Sequence, residues 1–106
     1  MNVFEDNIYH DAIVAGGMDL QLRVVMEECL ELALALLRMK RGRATAIDVA
    51  EEVADVEIMT QQIRCMIGDA IIDEQKALKL KRLRKRIEEN NMENDEPLTK
   101  GECYGL

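Results

Sequence analysis

The sequence QLRVVMEECLEL at residues 21–32, together with EEVADV at residues 51–56, decides the fold of this chain. Both stretches consist mainly of Leu, Met, Ala, Glu and Val, and the first four of these have high helix propensity. Apolar positions recur every three or four residues on either side of the acidic ones, as they do on the core face of a helix. The chain has only three aromatic residues in 106, which leaves little for a β-sandwich. The sequence therefore predicts an all-α protein.

Glycines mark the limits of the first long helix. The triplet Ala15-Gly16-Gly17 predicts a loop that separates a short N-terminal helical piece from the main body. The first long helix is expected to open at Met18 or Asp19 and to run to about Met39. Gly42 lies within a basic run that follows, as expected of a helix end.

The second and third helices have comparable signals. Thr45 is a predicted N-cap, and Asp48, three residues later, is its partner in a capping box. Gly68 is expected to end the second helix, and Asp69 to cap a third helix over about residues 70–90. The apolar stripes predicted for the core of the three helices are, in order, Leu22, Val25, Cys29, Leu32, Leu36 and Met39; Val49, Val53, Val56, Met59, Ile63, Met66 and Ile67; and Ile72, Leu80, Leu83 and Ile87.

The chain divides by composition into residues 1–90, predicted to be one helical domain, and residues 91–106, predicted to be a mobile tail because no periodicity returns there. Three helices form a small core for 48% hydrophobic residues. Self-association into a larger bundle is therefore expected.

Charge and cysteine content restrict the cellular setting. The net charge of −7 argues against general nucleic-acid binding, which favours a basic domain. No apolar run reaches the roughly 20 residues needed to span a bilayer, and residues 1–6 lack the features of a signal peptide. Three widely spaced cysteines indicate reduced thiols, two of them core fillers. We expect a cytoplasmic protein without a membrane partner.

Two acidic pairs carry the strongest chemical signal. Glu28 and Glu31 are three residues apart in the first helix, and Glu52 and Asp55 are three apart in the second. Residues at this spacing are neighbours on a helix surface. If the helices pack antiparallel with these faces opposed, four carboxylates converge and repel each other, and a divalent cation relieves that repulsion. An all-oxygen site suits Mg²⁺, with Mn²⁺ as a substitute. The competing interpretation is that these are ordinary solvated helix turns.

Other chemistries have no support in the sequence. A di-iron bundle site needs Glu-x-x-His units, and the single histidine, His10, lies outside both acidic helices. Zinc would need Cys and His at short spacing, and the glycines match neither phosphate-loop pattern. A Ser-based nucleophile is excluded because the chain contains no serine.

A basic segment at residues 76–86 holds seven of the 14 basic residues. Lys79, Arg82 and Arg86 fall on one strip of the predicted third helix. Beside a carboxylate cluster, such a strip could bind phosphate oxygens. Equally, long basic side chains can cover apolar surface while their charges stay in water, and the sequence leaves both interpretations open.

The order of these motifs resembles the MazG-like all-α nucleoside triphosphate pyrophosphohydrolases. The similar segments are Gln21-Leu22, the EECLEL run at 27–32, the EEVADV run at 51–56, and the basic helix from Lys79 to Ile87, although Arg82 falls where many members have asparagine. The resemblance covers about residues 18–88. It implies Mg²⁺-dependent hydrolysis of a nucleoside triphosphate to a monophosphate and pyrophosphate. It also implies a homodimer or homotetramer, in which oligomerisation completes a site of the four-helix-bundle type. It further implies metal binding and catalysis by Glu28, Glu31, Glu52 and Asp55, and substrate binding by Gln21, Lys79, Arg82 and Arg86.

Two other functions remain open on the sequence alone. A non-catalytic helical interaction protein could carry the same acidic and basic faces as solvated surfaces. A nucleic-acid-associated module could use residues 76–86, although the net charge disfavours it.

Overall fold

The computed structural model describes residues 3–93, and three α-helices account for almost all of this part of the chain. They are α1 (Val3–Lys40), α2 (Ala46–Ile67) and α3 (Asp69–Glu93). No strand occurs in this described part. The all-α prediction is confirmed. The chain separates into two units, Met1–Gly68 and Asp69–Leu106, and no helix among the described residues is long and apolar enough to cross a membrane.

The N-terminal helical piece and the first long helix meet at one residue rather than at a loop. Gly17 has φ 78° and ψ 161°, a break inside α1 that glycine adopts without the penalty of a Cβ. Across this break, Nε2 of Gln21 donates a hydrogen bond to the carbonyl oxygen of Ala12 at 3.0 Å. In a straight helix nine residues span about 13 Å. The bond therefore requires the N-terminal piece, residues 3–16, to bend back toward the part of α1 that follows Gly17.

Tyr9 is a buried residue of the N-terminal piece. Burial raises the pKa of its phenol, and the charges of Glu5, Cys65 and Asp6 add to the increase. The N-terminal piece belongs to the same packed unit as the two long helices.

The boundary of α2 follows the predicted capping signals. Thr45 accepts a hydrogen bond from the backbone N–H of Asp48, and the Asp48 carboxylate accepts one from the backbone N–H of Thr45 at 2.8 Å, which completes the capping box. These bonds hold the pKa of Asp48 below its ordinary value. Gly68, at φ 113°, ends the helix. Both predicted boundaries are confirmed.

The core lies in the seam, the contact between α1 and α2, and it includes only part of the predicted stripes. Met59 of the predicted α2 stripe is buried there, together with Gln62 of α2 and Gln21 and Ala35 of α1, which were not predicted core positions. Other predicted positions are half-buried, namely Val25, Leu32, Met39, Val49, Val56, Ile63 and Met66, and the remainder are exposed, namely Leu22, Cys29, Leu36, Val53 and Ile67. The described cysteines, Cys29 and Cys65, are both exposed, so the prediction of two core thiols is wrong.

Helix α3 belongs to the second unit. It begins at Asp69 and continues to Glu93, so residues 91–93 of the predicted tail are helical. Residues 94–106 of that tail lie outside the described residues. On α3 the predicted apolar stripe is exposed at Leu80, Leu83 and Ile87, and half-buried at Ile72.

Removing the Thr45 hydroxyl should destabilise the protein, because it breaks one half of the capping box. Thr45→Ala is expected to lower the free energy of unfolding by about 1 kcal/mol, measured by urea denaturation. The matched control is Thr60→Ala, within the exposed face of α2, where the hydroxyl only donates to the Glu57 carbonyl at 3.0 Å. Equal losses in both variants would show that the cap does not stabilise α2.

Candidate metal centre

The acidic stripes of the two long helices face each other in the seam. Glu28 on α1 and Glu52 on α2 are half-buried, whereas Glu31 is exposed at the edge. The short connection of residues 41–45 turns the chain back, so α2 runs antiparallel to α1. Residue numbers accordingly rise along one helix as they fall along the other: Glu31 interacts with Glu52, and Glu28 interacts with Asp55. The predicted convergence is therefore present.

Three carboxylates form the tightest group, which we call the carboxylate cluster: Glu28, Glu31 and Glu52. One oxygen from each lies within 4.8 Å of the others. Asp55 is exposed and falls outside that group, but its charge reaches both Glu28 and Glu52. The structure thus brings three of the four predicted ligands together and leaves the fourth at the rim.

The closeness of these like charges is reflected in their pKa values. Desolvation raises the pKa of Glu28, and the charges of Glu31, Asp55 and Glu52 raise it further. Desolvation likewise raises the pKa of Glu52, followed by the charges of Glu31, Asp55 and Glu51. The ion pair of His10 with Asp11, 3.7 Å apart on the exposed N-terminal piece, does not involve the cluster.

Two oxygens of the cluster have no partner. Oε2 of Glu28 and Oε2 of Glu52 are buried and accept no hydrogen bond from the described residues. Burying a carboxylate oxygen without a donor is costly. An oxygen-preferring divalent cation would satisfy both oxygens at once and would neutralise the repulsion. The donor set, which contains neither His nor Cys, fits Mg²⁺ or Mn²⁺ better than zinc or copper.

The predicted substrate-binding residues lie in different places. Gln21 is buried in the seam, where its Nε2 is engaged with Ala12. Lys79, Arg82 and Arg86 belong to the other unit, on α3, and all three are exposed. Substrate binding by these four residues stays a prediction.

One polar residue of the seam, Gln62, had no predicted role. It lies seven residues after Asp55, is only 5% exposed, and its Oε1 has no partner among the described residues. The signal in the sequence was its position three residues after Met59 and seven after Asp55, on one face of α2. The sequence did not reveal that this face is buried, and its burial is what makes the residue notable.

The raised pKa values of Glu28 and Glu52 make the stability of the metal-free protein depend on pH in a specific direction. An unfolded glutamate ionises at its ordinary pKa, whereas folded Glu28 and Glu52 hold their protons to higher pH. Repulsion therefore lowers the free energy of unfolding as pH rises from the ordinary glutamate pKa through the raised one, and the whole penalty is present above the raised pKa. We expect the metal-free melting temperature to rise when the pH falls from neutral into this window, and to rise less in Glu28→Gln.

The stabilisation by Mg²⁺ should have the opposite pH dependence, because protons compete with the cation for Glu28 and Glu52. The increase in melting temperature caused by Mg²⁺ is expected to be largest at neutral pH and to shrink through the same window. Asp48 contributes in the reverse sense, since its lowered pKa supplies stability that is lost only as the pH falls through that lowered value. A Mg²⁺ effect independent of pH would contradict binding at the carboxylate cluster.

Comparison of the chain with family models, with curated proteins and with solved structures found no match. The evidence for a function therefore comes from the carboxylate cluster itself, and from the order and spacing of the motifs that supply it.

Proposed function

We propose that the protein is a Mg²⁺-dependent nucleoside triphosphate pyrophosphohydrolase of the MazG-like type, acting in the control of nucleotide pools. The observation that supports the proposal most directly is the carboxylate cluster, whose three oxygens lie within 4.8 Å of one another. Two of its side chains also carry buried oxygens without a partner. A chain that only needed solvated acidic turns would place these carboxylates on the outside of the helices, where water screens them.

Glu28, Glu31 and Glu52 would hold the cation, and Asp55 would complete the set at the rim. Bound Mg²⁺ would supply charge neutralisation and orientation of the triphosphate. The protein contributes a rigid pair of helices that fixes the carboxylates before the substrate arrives, which is the preorganisation that electrostatic catalysis requires. Mn²⁺ would serve as a substitute because it accepts the same oxygen ligands.

The reaction breaks the bond between the α phosphorus and the oxygen that bridges it to the β phosphorus. The oxygen of a water molecule joins phosphorus, the bridging oxygen leaves with pyrophosphate, and the proton given up by the water passes to solvent. Glu28, Glu31, Glu52 and Asp55 are the carboxylates available to orient this water. The products are a nucleoside monophosphate and pyrophosphate.

The basic residues of α3 are the second part of the proposal. Lys79, Arg82 and Arg86 would bind phosphate oxygens, and Gln21 would contribute an amide to the substrate site. An acidic cluster repels a triphosphate unless cations offset its charge, and α3 carries seven basic residues in the run 76–86. Guanidinium groups can bind phosphate through two parallel hydrogen bonds.

We further propose that the active protein is a homodimer or homotetramer in the cytoplasm, with four-helix sites assembled from its copies. Several large apolar side chains on the outer faces of α1 and α2 are well exposed, at 61% for Met26, 71% for Leu30 and 45% for Leu34. A monomer seldom leaves so much contiguous apolar surface in water. Packing these faces against a second copy would bury them and enlarge the core.

Replacing one ligand at a time with its amide tests the site. Glu28→Gln, Glu31→Gln, Glu52→Gln and Asp55→Asn should each abolish Mg²⁺-dependent pyrophosphate release from a panel of nucleoside and deoxynucleoside triphosphates. Each change removes a negative charge that the cation needs. It also relieves repulsion, so Glu28→Gln and Glu52→Gln should melt at the same temperature as the metal-free wild type or higher.

The matched control is Glu57→Gln, an exposed glutamate of α2 outside the carboxylate cluster. It should retain most of the hydrolysis. If Glu57→Gln and Glu52→Gln lost activity equally, or if Mg²⁺ supported neither hydrolysis nor a higher melting temperature, the non-catalytic interaction protein would be the better description.

Self-association should be visible by sedimentation. At micromolar concentration we expect a dimer or tetramer, and Leu30→Lys, which places a charge on the exposed apolar face of α1, should shift the population toward monomer. The control is Arg23→Lys on the same helix, which keeps the charge and should leave the distribution unchanged. A compact wild-type monomer over the whole concentration range would exclude the oligomer.

A further inference from the structure

Gln62 is the most deeply buried polar side chain of the seam. It is 5% exposed, and its Oε1 is covered completely yet accepts no hydrogen bond from the described residues. The half-buried Gln61 beside it also has a covered Oε1 without a partner. Buried amide oxygens in folded proteins are paired in the great majority of cases. An orphaned buried amide on a seam that also carries the carboxylate cluster is a sign of a missing hydrogen-bonding partner.

The register of the helices locates Gln62 relative to the cluster. Glu28 interacts with Asp55 across the antiparallel seam. Seven residues back along α1 lies Gln21, and seven residues on along α2 lies Gln62, so the two buried glutamines belong to the same level. Seven residues correspond to about 10 Å along a helix. This separation is comparable with the distance from the phosphates of an extended nucleotide to its base.

The N-terminal piece contacts this level through Gln21, whose Nε2 donates to the carbonyl of Ala12. The same piece carries the buried Tyr9, and the charge of Cys65, one turn beyond Gln62 on α2, contributes to the raised pKa of its phenol. The piece joins the rest of α1 at Gly17, where positive φ allows a bend that other residues resist. One hydrogen bond therefore connects the segment before Gly17 to the level of the glutamines.

We propose that Gln62 is a specificity-determining residue whose amide hydrogen-bonds the edge of the nucleotide base when residues 3–16 swing aside at Gly17. The inference depends on the proposed function, since it assigns the base to the level of the glutamines and the phosphates to the carboxylate cluster. An amide presents one acceptor and two donors, which matches the adjacent N–H and C=O groups on the pairing edge of a nucleobase. The orphaned Oε1 is the acceptor that this contact would satisfy.

The test compares two substrates in two variants. Gln62→Met keeps the length of the side chain but removes its polar atoms. It should lower kcat/KM for the preferred nucleoside triphosphate by about 10- to 100-fold, and should leave kcat/KM for 2-deoxyribose 5-triphosphate, which has no base, unchanged. Glu52→Gln should abolish hydrolysis of both. The control Gln75→Met, at an exposed glutamine of α3, should change neither.

A stability measurement separates a binding role from a structural one. Because Gln62→Met removes an unsatisfied buried acceptor, the melting temperature of the free protein should rise. A clear fall would mean that Gln62 supports the fold, and the proposal would be overturned. Equal losses on both substrates, or no loss on either, would also overturn it while leaving the pyrophosphohydrolase assignment intact. Wild-type protein that hydrolyses no triphosphate would instead overturn the proposed function, and this inference with it.

Discussion

The antiparallel packing of α1 on α2 brings like charges together, and the other features of the first unit follow from that arrangement. Two helices joined by a five-residue connection must present one face each to the seam, and here those faces carry Glu28 and Glu52. The two carboxylates are partly desolvated and lie near two further carboxylates, so their pKa values rise. A fold that only needed stability would have placed leucines at these positions, which the chain has in abundance on the neighbouring stripes.

Leucines excluded from the seam are exposed on the outside. Met26, Leu30 and Leu34 follow the outer face of α1. The polar seam and the apolar exterior thus follow from one sequence pattern. In our proposal binding covers both surfaces: a cation and a triphosphate occupy the seam, and further copies of the chain cover the exterior.

The seam has two chemically different levels. At one, acidic oxygens suit a hard cation and the phosphates that it binds; at the other, two glutamines supply amides suited to the edge of a base. The N-terminal piece contacts the second level through the carbonyl of Ala12, which accepts a hydrogen bond from Gln21. A nucleotide lying along the seam would meet both levels, so the division of the seam provides a physical basis for separating catalysis from selectivity.

The sequence by itself determined the helices, because their causes are local. Helix propensity, the capping box of Thr45 and Asp48, and the positive φ required at Gly68 act within a few residues, and the structure has each of them. The spacing of Glu28 with Glu31 also predicted a shared helix face. These features depend on no distant part of the chain.

Tertiary structure decided which face of each helix is buried. Apolar periodicity favoured the stripe of Leu22 and Leu36, but packing buried the stripe of Gln21 and Ala35. Short-range patterns cannot distinguish two amphipathic stripes on one helix, since the choice depends on the direction in which the partner helix approaches. That same choice covers the oxygens of Glu28 and Glu52 and leaves the acceptor of Gln62 without a donor. The chemistry of the candidate site is therefore a consequence of the packing, because a carboxylate or an amide changes its properties when water is removed from it.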